Sequence, residues 1–128
     1  MSQRSALGRV RGYGSAKEGV AHWWVQRLTS VGLIVLGFWF VVSLLALPAR
    51  DYATVVAWMR GGFTAPALIL FVLVCAWHSQ LGFRVVIEDY VHEAGTKTLA
   101  LGVSSFAHIV IAALGVVAVL RVALGTGA

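Results

Sequence analysis

Three long apolar runs set the terms for this chain. The first extends from Leu28 to Leu47, the second from about Phe63 to Phe83, and the third from about Leu99 to Leu124, broken only late by Arg121. A helix needs about 20 apolar residues, each rising about 1.5 Å, to cross roughly 30 Å of hydrocarbon. Each run meets that requirement. Composition agrees: of 128 residues, 59% are hydrophobic and 12% charged, and mean hydropathy is +0.86. A soluble domain of this size would be about a quarter charged. The expected fold class is therefore an all-α integral membrane protein with three transmembrane helices. A polar, basic arm occupies residues 1–24, and a membrane domain occupies residues 25–128 with spans at about 25–47, 63–86 and 98–122.

The basic residues give these spans a direction. Arg4, Arg9, Arg11, Lys17 and Arg27 precede or enter the first span, and Arg84 and Lys97 lie in the second connection. That makes seven on one side, against Arg50, Arg60 and Arg121 on the other. Positive charge marks the cytoplasmic face, so the N-terminus and second connection are expected inside, and the first loop and C-terminus in the periplasm. Trp23, Trp24, Tyr52, Trp58 and Tyr90 stand at the expected headgroup levels, where an apolar ring with a polar edge is at home.

The net charge of +5 does not point to nucleic acid, because the cations flank spans where lipid headgroups account for them. A lone thiol, Cys75, supports neither a disulfide framework nor a metal cluster and reads as a packing residue. Residues 1–24 lack the short apolar core of a cleavable signal. Pro66 falls in the first turn of the second span, where its missing N–H costs little. Gly32, Gly37, Gly102 and Gly115 would let helices approach closely, within the chain or against a partner.

Ionisable residues inside a span are expensive and therefore candidate functional sites. His78, His108 and Arg27 qualify. At about 100° per residue, Phe71, Gly82, Val85 and Asp89 fall within about 40° of the His78 direction. One stripe thus carries a histidine deep in the membrane and a carboxylate about 16 Å further along. Gly82, one turn on, leaves room beside the helix for something flat. His78 could join helices by hydrogen bonding, relay protons, or ligate haem iron through a neutral imidazole. His108, flanked by Ser104 and Ala112, lies at a similar depth and could share that haem or hydrogen-bond a neighbouring helix.

The stretch from His78 through Gly82 to Asp89 and Tyr90 resembles the small hydrophobic membrane anchor subunit of succinate dehydrogenase, respiratory complex II. In that family a histidine is followed by glycine four residues on and Asp-Tyr eleven and twelve residues on, and all four match here. Residues 5–9 are similar to the family's arm, and residues 25–30 to its entry into the first span.

The resemblance implies a role for each of these residues. His78 would be one axial ligand of haem b, the other coming from the larger hydrophobic anchor subunit of the complex. Tyr90 would hydrogen-bond a ubiquinone carbonyl, with Asp89 arranging that site and feeding it protons. Arg27 would lie near the haem propionates and quinone pocket. An iron–sulfur subunit and a flavoprotein subunit would complete the complex in a bacterial inner membrane, and this chain would be a non-catalytic anchor. His92 and Glu93 read either as contacts to the iron–sulfur subunit or as a solvated connection. A reading of another class is a homo-oligomeric transporter or proton conductor using His78, Asp89 and His108.

Overall fold

The structure, a computed structural model, describes residues 18–125, so the basic residues and motif of the arm up to Lys17 lie outside the described residues. Among the described residues it is all helix: α1 (Glu18–Leu45), α2 (Tyr52–Met59), α3 (Thr64–Tyr90) and α4 (Ala94–Leu124). The three long helices are apolar enough to cross a membrane. Helix is the open chain's only way to satisfy its own backbone in lipid, where no water stands in for a missing partner.

The helices run past the hydropathy limits at the start of α1, the end of α3 and both ends of α4, whereas α1 stops at Leu45, short of the expected 47. The second connection, expected over about 87–97, shrinks to residues 91–93. Hydropathy marks where hydrocarbon ends, whereas the backbone hydrogen-bond ladder continues through polar residues. Side chains then close the ends. Glu93 caps α4 by accepting from the Gly95 and Thr96 amides. Lys97 Nζ donates to the Glu88 carbonyl at 3.0 Å, and His92 Nδ1 donates to the Tyr90 carbonyl at 3.1 Å. Both satisfy carbonyls left over in the last turn of α3.

The first loop contains a helix that was not expected. Asp51 caps α2, accepting from Thr54 N at 3.3 Å and Thr54 Oγ1 at 2.6 Å. Those bonds hold its carboxyl below the usual carboxylate range. Trp58 of α2 stacks on Trp39 with centroids 6.2 Å apart, and Phe63 meets Trp39 edge-on at 5.7 Å. Phe40 bridges Trp58 and Phe71. At the same end, Arg60 Nε donates to the Val122 carbonyl at 3.1 Å, and α4 stops at Gly125 in the left-handed conformation, φ 73°.

The long helices form a row. α3 packs against α1 on one side and α4 on the other, and α1 and α4 do not meet among the described residues. Four of the five buried residues, Thr64, Ala67, Leu68 and Leu81, belong to α3, the fifth being Val119. In lipid, such helices are held by close packing and hydrogen bonds more than by hydrophobic exclusion. Gly32 and Gly37 of α1 face Val74 and Phe71 of α3, and Gly115 of α4 faces Val72. Gly102 has open space where a Cβ would stand, so it serves no close approach among the described residues.

The tightest of these contacts is a test of the row. A Cβ at Gly115 would lie 2.7 Å from Val72 Cγ1, and a β-branched side chain in a helix has no other rotamer to retreat to. Gly115→Ala should destabilise the α3–α4 pair by about 1–3 kcal/mol. Thermal unfolding in detergent should show it, and Val72→Ala in the same chain should recover most of the loss.

Candidate functional site

His78 sits at mid-length on α3, half-buried, on the side that faces α1. Its Nδ1 lies 3.0 Å from Thr29 Oγ1. That hydroxyl also lies 2.9 Å from the Val25 carbonyl and 3.0 Å from the Gln26 carbonyl. Thr29 has one proton and a carbonyl has none to give. If the hydroxyl donates back to its own helix, every contact pairs a donor with an acceptor, and His78 Nδ1–H donates to Thr29. The neutral imidazole then carries its lone pair on Nε2, which makes no hydrogen bond among the described residues. Gly82, one turn on, has nothing within 4 Å of where a Cβ would stand.

His108 is arranged differently. Its Nδ1 donates to the Ser104 carbonyl at 2.7 Å, and its Nε2 accepts from Ser79 Oγ at 3.2 Å. Both ring nitrogens are engaged, and the residue acts as a bond between α4 and α3. A second bond, Gln80 Nε2 to Ser105 Oγ at 3.2 Å, joins the same helices. Phe83 packs on the His108 ring, centroids 5.5 Å apart. Beside them a groove of about 620 Å³ opens across α3, almost wholly apolar, with Thr29, Gln80, Ser105 and His108 as its polar lining.

Asp89 and Tyr90 lie at the end of α3 beside the short connection. Tyr90 is 79% exposed, so this chain supplies one wall of any pocket there. Arg84 and Glu88 form an exposed i,i+4 ion pair at 2.8 Å, a geometry that contributes little to stability. Arg27 lies about 160° around α1 from Thr29, with its guanidinium over the Trp23 ring, 5.2 Å from the centroid. The chain by itself therefore brings Thr29, and not Arg27, to His78.

The sequence-identified residues thus separate into two levels: His78 in the middle, Asp89 and Tyr90 at one end. No hydrogen bond links His78, Asp89 and His108 into a relay among the described residues. Sequence reading missed the roles of two residues. Thr29 is 49 residues from His78 and leaves no local signal beyond a hydroxyl inside a span. Glu93 had one available, an acidic residue just ahead of Gly95-Thr96 and an apolar run. Among the described residues no cluster of three or more histidine, cysteine or acidic side chains could hold a metal ion.

Known proteins similar to this chain all point one way. Residues 1–120 match the family described as the succinate dehydrogenase/fumarate reductase transmembrane subunit. The chain is similar to the succinate dehydrogenase hydrophobic membrane anchor subunit of Paracoccus denitrificans, 32% identical over 116 residues, covering 91% of this chain and 89% of that one. The subunit of the same name in Rickettsia bellii is 31% identical over 111 residues, 86% of this chain and 89% of the relative. That of Rickettsia conorii is 33% identical over 89 residues, 69% and 71% respectively. No solved structure matches.

The cap beside this end gives a pH prediction. Bonds from Thr96 and Gly95 hold the Glu93 carboxyl down at about 2, from an ordinary 4.5. A depressed carboxylate stabilises the fold above its unfolded pKa and stops doing so as pH falls through the folded one. Amide-exchange protection at Gly95 and Thr96 should therefore decline progressively below about pH 4.5 and be gone near pH 2. Glu93→Ala should lack that protection already at pH 7; equal protection in the variant would contradict the cap.

Proposed function

The chain belongs to the succinate dehydrogenase/fumarate reductase transmembrane-subunit family, and we propose that it is the hydrophobic anchor of a succinate:ubiquinone oxidoreductase that holds one side of a haem b and one wall of the ubiquinone site. The observation that carries this reading is His78: one ring nitrogen committed to Thr29, the other without a hydrogen bond among the described residues, on the middle helix of an open row. A structural histidine in a membrane has reason to satisfy both nitrogens, as His108 does. The space beside Gly82 suits a flat macrocycle.

In this reading His78 Nε2 would hold the haem iron together with a histidine of the larger anchor subunit. The bound haem supplies a one-electron donor and acceptor within the bilayer. Tyr90 donates its phenolic hydrogen to a quinone carbonyl. Asp89, exposed to water at the same end, carries the protons that quinone reduction requires. Arg27 offers a cation to the haem propionates or the quinone head where a partner closes the site. Electrons come from an iron–sulfur subunit, fed by a flavoprotein; a chain with one cysteine cannot hold such clusters. In this reading the Tyr90 end faces the cytoplasm of a bacterium, with α2 and the C-terminus in the periplasm; the bias of basic residues in the sequence toward the N-terminal arm and second connection supports it.

Purified complex tests both levels of the site. His78→Ala should abolish or grossly alter the b-type haem spectrum, whereas His108→Ala should leave it in place. An intact spectrum in the first variant would refute the ligand assignment. Tyr90→Phe removes one hydrogen bond to the quinone and should lower quinone reduction about tenfold. Succinate oxidation by a soluble dye should survive; parallel loss of both activities would argue against a quinone role.

A further inference from the structure

A histidine that ligates iron through Nε2 must keep its proton on Nδ1 and hold its ring plane still. Nothing on α3 itself does either for His78. The group that does is on another helix. Thr29 Oγ1, 3.0 Å from Nδ1, has its own proton directed to the Val25 and Gln26 carbonyls, 2.9 and 3.0 Å away. It is therefore presented to the imidazole as a pure acceptor. The residue is partly buried between two helices, where Gly32 and Val74, about one turn away, fix the approach of α1 and α3.

We infer that Thr29 is a positioning residue for the haem ligand, accepting the Nδ1 proton of His78 so that the Nε2 lone pair is presented at a fixed tautomer and ring orientation. This rests on the haem reading above. Two consequences distinguish the role from mere helix packing. A hydrogen bond accepted from Nδ1–H makes the imidazole a stronger electron donor, which favours ferric over ferrous iron and lowers the midpoint potential. It also sets the ring plane, to which the g-anisotropy of a low-spin ferric haem responds.

The test uses the assembled complex with Thr29→Val, which keeps the shape and removes the acceptor, alongside Thr29→Ser, which keeps the hydroxyl. Potentiometric titration of the haem band and the ferric electron paramagnetic resonance spectrum are the readouts. In Thr29→Val the haem should remain bound with its midpoint shifted to more positive potential and its largest g-value moved. Thr29→Ser should match the parent in both. If the valine variant fails to assemble, Thr29→Ala removes the same acceptor with less bulk and is read in the same way. Parent-like midpoint and g-values in the acceptor-free variant, with haem lost from His78→Ala, would overturn the role of Thr29 while leaving the ligand in place. Unchanged haem in His78→Ala would instead overturn the haem reading itself.

Discussion

A polar side chain in hydrocarbon must find its partner in protein, and the position of α3 between α1 and α4 determines which partners exist. α3 carries His78, Ser79 and Gln80 in succession. Consecutive residues on a helix point about 100° apart, so no single neighbour could serve all three. With a helix on either flank, His78 is met by Thr29 of α1, and Ser79 and Gln80 by His108 and Ser105 of α4. A closed three-helix bundle would bring α1 against α4 and leave α3 less open. The row keeps α3 in the middle and still leaves its faces available.

The two histidines show the consequence of that arrangement. Both lie at similar depth, and both have a hydrogen-bond partner for Nδ1. They differ in what Nε2 meets. Ser79 Oγ satisfies the second nitrogen of His108. His78 has no such partner among the described residues, and its ring is only partly buried, so Nε2 stays open to a group from outside them. In the proposed reading that second nitrogen is the one left to meet a group outside the described residues.

Much of this is legible in the sequence, and the illegible part has a physical pattern. The three spans follow from run length alone. The stripe shared by His78 and Asp89 follows from helical phase, and it proves to run along the α1 side, where Phe71 meets Gly37 and His78 meets Thr29. What phase cannot supply is the register between helices. Thr29 acquires its meaning only once the approach at Gly32 places it opposite His78. The helix α2 escapes notice because Pro48 and the Gly61–Gly62 pair mark its surroundings as loop, while the rings that hold it, Trp39 and Phe40, belong to another helix. The brevity of the second connection escapes because hydropathy reports the edge of the lipid, not the end of a hydrogen-bond ladder.

That short connection bears on what the chain can do alone. With α3 and α4 joined by residues 91–93 and clamped by Glu93, Lys97 and His92, this connection is too short to fold over Tyr90. The phenol stands 79% exposed at the end of a helix whose local structure is otherwise fully tied down. A hydrogen bond from so open a donor to a quinone is worth little in competition with water. It becomes useful only when other chains exclude the water, and the same enclosure is what a second ligand opposite His78 would require. Under the proposed function both levels of the site need one further surface, and the short hairpin holds His78 and Tyr90 at a fixed separation for a partner to cover together.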